Sequence, residues 1–175
     1  MIRLVLIFSS AVILAWYLLQ TEDRPASTQK VDNAFKANQV ELVTIQGDQR
    51  ELTQASQIEQ TRKQAPILLT RPQLTRTEAG QTTLRITSQT GHSQNNILTL
   101  EQQVRAIQNP ESASPIQFET ERLHYNSTQK TASTELDVKV FDSNHLQTAT
   151  GMTLNLVEDT MELKDNVKGY FKHIE

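Results

Sequence analysis

The chain has 175 residues, a net charge of -3 and no cysteine, and its charged residues of both signs are interspersed. The length suits one domain of roughly 100 to 150 residues plus an appendage. The lack of a clustered basic face argues against a nucleic-acid-binding surface, and the lack of cysteine excludes a disulfide framework and a thiolate metal site.

The first predicted element is a membrane anchor spanning residues 1–20. The run from Leu4 to Leu19 is apolar apart from two serines and a tyrosine, follows Arg3 and precedes two acidic residues. As a helix, about sixteen residues rise about 24 Å, slightly less than the roughly 30 Å hydrocarbon core. Because positive charge favours the cytoplasmic side, we expect a single inner-membrane span with a cytoplasmic amino terminus and a periplasmic remainder.

A cleaved signal peptide is the alternative for this segment, since it has a similar charged start and apolar middle. Leu18, Leu19 and Gln20 stand where a signal peptidase needs small residues, which favours a retained anchor. Residues 21–37 are polar and contain Pro25, so a periplasmic linker is predicted there.

A β-domain is predicted over residues 38–175, because apolar residues alternate with polar ones in short runs. This period of two is typical of strands with one buried face. The alternating pairs and triplets are Val40 and Leu42, Leu84 and Ile86, Leu98 and Leu100, Leu136, Val138 and Val140, Leu154 and Leu156, and Met161 and Leu163. The pattern leaves the exact strand register open, especially over residues 48–65.

Turn residues separate these runs every eight to twelve residues, as in an antiparallel sandwich or open barrel. The predicted turns are at Gly47, Ala79–Gly80, Asn95–Asn96, Asn109–Pro110, Asn126–Ser127, Asp142–Asn144 and Glu158–Asp159.

The later hairpins also repeat one pattern. From Leu123, the residues Ala132 and Val138 follow at the same spacings as Met161 and Val167 follow from Met152. Stacked hairpins of this kind bury one continuous interior and leave both terminal strands as open edges.

Several segments, taken in order, resemble the LptC family of lipopolysaccharide export proteins. The most distinctive are Phe118-Glu119-Thr120-Glu121-Arg122-Leu123 and Ala149-Thr150-Gly151-Met152, which follow an apolar anchor and a turn at Gly47. The resemblance implies an all-β, antiparallel open β-jellyroll of stacked hairpins, of the LptA-like kind, preceded by a single transmembrane helix.

The resemblance further implies a role in lipopolysaccharide transport to the outer membrane, without enzymatic activity, cofactor or metal. The chain would receive lipopolysaccharide from the inner-membrane ABC transporter, whose permeases are LptF and LptG, and pass it to the periplasmic bridge protein LptA. The residues expected to line the acyl-chain groove are Leu69, Leu84, Ile86, Leu98, Leu100, Leu123, Tyr125, Val138, Leu154, Met161, Leu163, Val167 and Phe171.

Two strand edges are expected to bind the protein partners. The amino-terminal edge, with Asn38, Val40 and Leu42, would pair with the permeases. The carboxy-terminal edge, with Asn166, Val167, Lys168, Gly169, Tyr170 and Phe171, would pair with LptA.

Residue patterns alone leave other functions open. Inward apolar rows are also what a solid-cored scaffold or assembly protein of the envelope requires, and a soluble bridge protein of the same fold differs mainly by lacking the anchor. The four histidines are scattered without ligand spacing, and no nucleophile motif is present, so no catalytic or metal-binding residue is predicted.

Overall fold

The computed structural model describes residues 34–142 and 144–171. The predicted anchor at residues 1–20 and most of the predicted linker lie outside these ranges. Within the ranges, no helix has the length and apolar character needed to cross a membrane.

Eleven strands in the described residues form one antiparallel sheet. They are β1 (Phe35–Gln46), β2 (Gln49–Gln60), β3 (Ile67–Thr70), β4 (Gln73–Glu78), β5 (Gln81–Thr87), β6 (Thr90–Gln94), β7 (Ile97–Gln108), β8 (Ile116–Asn126), β9 (Thr131–Phe141), β10 (His145–Asn155) and β11 (Thr160–Phe171). The predicted all-β antiparallel class is confirmed, and β1 begins at Phe35 rather than at Asn38.

The long strands each take part in two regions of the sheet. Strand β2 pairs with β4 through residues 49–54 and with β3 through residues 57–59. Strand β7 likewise pairs with β6 through residues 97–101 and with β5 through residues 105–108. The sheet therefore divides into two parts that share their long strands.

A row of backbone irregularities, called the bend line below, marks the boundary between the two parts. Positive φ angles occur at Gln39, Gln102, Gln103, Gly151 and Asn166. Register shifts lie beside them in the β7–β8, β8–β9, β9–β10 and β10–β11 pairings. Bulges bend a strand and increase its twist, so the sheet folds along this line.

The two parts of the folded sheet face each other across the core. Tyr125 of β8 and Glu51 of β2 belong to different parts, yet the tyrosine hydroxyl donates a hydrogen bond of 2.6 Å to the carboxylate. The buried core between them contains leucine, isoleucine, valine, alanine, phenylalanine, tyrosine and methionine side chains. This packing is the layered arrangement that a sheet with one apolar face needs.

The terminal strands are paired on one side only among the described residues. Strand β1 pairs with β2, and β11 pairs with β10. The predicted hairpins are confirmed, since Tyr125 lies opposite Ala132 and Leu154 opposite Met161.

Candidate functional site

The interior between the two sheet parts contains most of the residues predicted to line a groove. Nine of them are buried, namely Leu69, Leu84, Ile86, Leu98, Leu100, Leu123, Tyr125, Val138 and Leu154. Leu84, Ile86, Leu100, Leu123 and Leu154 have 0% exposure, so no water-sized space touches them. The interior is thus a continuous apolar volume that side chains fill completely at these positions.

Strand β11 continues this interior over its first residues only. Met161 and Leu163 are half-buried and pack against the core, as predicted. Val167 lies beside the buried Ala149 of β10 but is itself 52% exposed, so its predicted contact with acyl chains stays a prediction. A bulge precedes it, because the four residues of β11 from Asp165 to Lys168 match three of β10, from Thr148 to Thr150, and the alternation is interrupted there.

Phe171 lies beyond this bulge and pairs with His145. The structure gives its backbone position but does not describe its side chain, so its predicted contact with acyl chains stays a prediction.

Three polar residues join the two sheet parts inside the interior. The Glu51 carboxylate accepts hydrogen bonds from the Tyr125 hydroxyl at 2.6 Å and from the Lys130 ammonium at 2.7 Å. The Glu51 and Lys130 side chains are only 9% and 11% exposed. Burial raises the pKa of Tyr125 far above its usual range, and its hydrogen bond to Glu51 adds to the increase. Tyr125 therefore stays a neutral donor at ordinary pH.

Arg76 of β4 is a second polar side chain in this interior, with 1% exposure. It lies directly opposite Glu51 on one neighbouring strand and Leu84 on the other. Its Nη2 is 3.5 Å from the Glu78 carboxylate, whereas its Nε and Nη1 have no hydrogen-bond partner. A buried guanidinium with free donors is costly, so this position calls for a physical explanation.

The β1 edge presents apolar side chains to solvent. Phe35, Leu42, Val43 and Ile45 are exposed, and Val40 is half-buried against the core. Asn38 is exposed and pairs with Gln57 of β2. This edge thus combines one unpaired strand side with an apolar surface, the pattern that strand addition by a partner uses.

The β11 edge differs in charge and regularity. Val167 and Tyr170 are exposed, and Lys168 and Gly169 face solvent beside them. Asn166 has a φ of 52° at the bulge, which separates residues 168–171 from the first half of the strand. Lys168 to Phe171 pair with β10 in regular register, so their second side is the one that a partner strand could occupy.

A cavity of about 550 Å³ touches the apolar interior only at Val104. Charged and polar residues line it, including Arg105, Glu119, Glu121, Asp137 and Lys139, and it lies where β7, β8 and β9 cross the bend line. Arg105 and Glu119 of this lining form an ion pair at 2.8 Å. Its charged lining is unsuited to acyl chains.

Of the polar residues inside the interior, Tyr125 was predicted to lie there, whereas Glu51, Lys130 and Arg76 were not predicted. A signal for Arg76 was present, since it follows Leu74 by two residues and therefore shares its face. No local sequence pattern predicts the hydrogen bond between Glu51 and Tyr125, because these residues lie 74 positions apart.

Comparison with known proteins supports this fold and gives a family. A family model described as LptC, "Lipopolysaccharide-assembly, LptC-related", matches residues 2–172. Among solved structures, the chain is similar to LptH from Pseudomonas aeruginosa, described as the LptA-homologous periplasmic component of the lipopolysaccharide transport device. The TM-score is 0.56 at 12% identity, over 70% of this chain and 95% of that chain, a likeness that shows the fold. No curated protein sequence matches at a significant level.

Proposed function

Because the chain belongs to the LptC-related lipopolysaccharide-assembly family, we propose that its β-domain receives lipopolysaccharide from an inner-membrane ABC transporter and passes it to a periplasmic bridge protein. The family supports a role in lipopolysaccharide transport. The observation that carries the finer proposal is an apolar interior flanked by two strand edges, β1 and β11, that are unpaired among the described residues.

Acyl chains would occupy the space between the two sheet parts. Apolar rows from both parts meet there, and burial of a chain would contribute roughly 0.8 kcal/mol per CH₂ group. Since Leu84, Leu123 and Leu154 leave no free space, loading requires the two parts to separate. The half-buried Met161 and Leu163 lie where such an opening would first expose apolar surface.

Photocrosslinking tests this assignment at matched neighbouring positions. Met161 is half-buried, whereas Glu162, the next residue on β11, is exposed on the opposite face. A photoreactive residue at Met161, or at Leu69 on β3, should capture lipopolysaccharide in cells, and one at Glu162 or Lys168 should not. Equal labelling at Met161 and Glu162 would contradict an acyl-chain interior.

The β1 edge would pair with the periplasmic domain of a permease subunit. Backbone groups on its free side need hydrogen-bond partners, and the exposed Leu42, Val43 and Ile45 would be covered at the same time. Cysteines at Val40 or Leu42 should give disulfide adducts with a permease in membranes. If no position from Asn38 to Ile45 gives an adduct, the anchor alone makes this association.

The β11 edge would pair with the bridge protein by strand addition. About four or five backbone hydrogen bonds of roughly 0.5 to 1.5 kcal/mol each, opposed by the cost of association, predict a modest and reversible contact. Proline can be placed at successive positions from Val167 to Tyr170. Where the lost N–H pairs with β10, proline should unfold the hairpin, and where the lost N–H faces the open side, it should abolish only partner binding. Wild-type binding by a folded variant truncated before Asn166 would place the contact elsewhere.

This arrangement needs the β-domain to be held at the inner membrane. We propose that residues 1–20 form that anchor, that the residues from 21 to the start of β1 link it to the domain, and that ATP hydrolysis on the transporter supplies the energy. Carbonate extraction and protease accessibility in spheroplasts test the anchor. Release of the chain as a soluble species would refute it.

A non-carrier scaffold is the second candidate function, and the closed interior favours it. The side chains with 0% exposure are what a solid core requires. Lipid content distinguishes the two functions, since a carrier purified from cells should retain one lipopolysaccharide molecule per chain and a scaffold should retain none.

A further inference from the structure

A small polar cavity lies at the end of the interior far from the bend line. It measures about 270 Å³ and is lined by Arg76, Glu78, Thr83, Gln108, Asn109, Leu156, Val157 and Asp159. The strand ends of β4, β5 and β7 form one wall, and the turn between β10 and β11 forms the other. The cavity is therefore built from both parts of the folded sheet.

Arg76 connects this cavity with the apolar interior. It is 1% exposed, and its cross-strand neighbour Leu84 has no exposed surface. The Arg76 Nε and Nη1 groups have no partner, while Nη2 is 3.5 Å from a Glu78 oxygen. Glu51, which lies opposite on β2, is held by Tyr125 and Lys130. Two buried donors of a residue that lines the cavity thus remain without a partner.

The remaining lining combines acceptors with donors. Glu78 accepts a hydrogen bond from Gln49 at 3.3 Å, and Asp159 accepts one from Gln108 at 2.5 Å. Each carboxylate keeps further lone pairs for a ligand. Leu156 and Val157 add an apolar patch on the turn side. Two carboxylates face one guanidinium, so the lining carries net negative charge.

This set of groups matches a ligand with several hydroxyls. A hydroxyl donates one hydrogen bond and accepts others, so it can bind Arg76 and a carboxylate together. A phosphate only accepts hydrogen bonds, and its charge would lie against Glu78 and Asp159. The volume is below the roughly 300 to 1,000 Å³ of pockets for whole drug-sized ligands, which suits one part of a larger molecule.

From these observations we infer that the Arg76 cavity binds the sugar headgroup of a glycolipid whose acyl chains lie in the adjoining interior. The inference rests on the proposed function and adds to it a basis for selecting sugar-based lipids over phospholipids. Arg76 acts as the central donor, and Asp159 and Glu78 act as acceptors for hydroxyl hydrogens.

Native mass spectrometry of the full chain in detergent tests this selection with three lipid probes. Diphosphoryl lipid A has sugars and two phosphates, monophosphoryl lipid A has the sugars and one phosphate, and cardiolipin has two phosphates without a sugar ring. The wild-type chain should bind both lipid A forms about equally and more tightly than cardiolipin.

Two variants change the cavity in different ways. Arg76→Met removes the donors, and it leaves no buried charge unpaired, because the side chain of its ion-pair partner Glu78 is 41% exposed. Asp159→Asn removes an acceptor charge in an exposed turn, where asparagine tolerates the φ of 52°. Both should weaken binding of both lipid A forms about tenfold, the effect of about one hydrogen bond to a charged group, and leave cardiolipin binding unchanged.

Glu158→Gln provides the matched control, because it removes one charge from the same turn outside the cavity. It should leave binding of all three probes unchanged. Circular dichroism of each variant confirms that it is folded.

Three other binding patterns would contradict this inference, each in a different way. Tighter lipid A and cardiolipin binding by Asp159→Asn would show that the cavity binds phosphate. Equal binding of all probes by the wild type, unchanged in Arg76→Met, would overturn headgroup selection and leave lipid transport standing. Failure of the wild type to bind any probe would overturn the proposed function together with this inference.

Discussion

Lys130→Met tests whether the contact among Glu51, Tyr125 and Lys130 stabilises the two facing sheet parts. The Lys130 ammonium lies 2.7 Å from the Glu51 carboxylate, and both side chains are about nine-tenths buried. Removing one partner of a buried ion pair typically costs about 3 to 5 kcal/mol, because the other charge stays buried without compensation. The Tyr125 hydroxyl still donates to Glu51 and should keep the loss near the lower value.

The free energy of unfolding can be measured by urea titration of the full chain in a neutral detergent, followed by circular dichroism. The variant should lose about 3 kcal/mol with an unchanged dependence on urea concentration, since the surface exposed on unfolding stays the same. The double variant Lys130→Met with Glu51→Gln should recover much of the loss, because no buried charge of that pair then remains.

Lys36→Met is the matched control on the protein surface. Lys36 and Glu59 form an ion pair at 3.8 Å with side chains 59% and 42% exposed. Exposed pairs contribute about 0 to 1 kcal/mol, so this variant should be nearly as stable as the wild type. If Lys130→Met loses no more stability than Lys36→Met, the buried contact does not hold the two sheet parts together.

Three further predictions concern the core, pH and one glycine. Leu84→Ala should cost about 2 to 5 kcal/mol in the same urea assay, because the side chain is fully buried, and a smaller loss would mean that the interior is loosely packed. The raised pKa of Tyr125 means that its contribution is present below about pH 10 and is lost as pH rises further. Wild-type stability should therefore fall more steeply above pH 10 than that of Tyr125→Phe, whereas parallel curves would contradict the assignment. Gly91→Ala should destabilise by about 1 to 3 kcal/mol, because its Cβ would lie 2.8 Å from the Thr99 carbonyl oxygen, and an unchanged melting temperature would refute this clash.

Local residue patterns were enough to predict most strands and turns. The turns at Gly47, Ala79–Gly80 and Asn95–Asn96 are present, with positive φ at each of these five positions. The repeated hairpins β8–β9 and β10–β11 were predictable because their partners are close in sequence and share one alternating pattern.

Strand β2 shows where the local pattern is insufficient. Its buried residues are Glu51, Ala55 and Ile58, which do not follow a period of two and include a charged side chain. The strand crosses from one sheet part to the other, so its inward face changes along its length. Sequence alone therefore left the register of residues 48–65 open.

The amino-acid sequence by itself thus determined the fold class, the hairpins and most of the apolar interior, because side-chain alternation and turn geometry act over a few residues. Tertiary structure decided that a bulge interrupts β11 just before Val167 and that Arg76 is buried with two unpartnered donors. It also decided that the Glu51 carboxylate accepts hydrogen bonds from both Tyr125 and Lys130. These features depend on how the sheet folds along the bend line, which brings residues into contact that lie 74 or more positions apart.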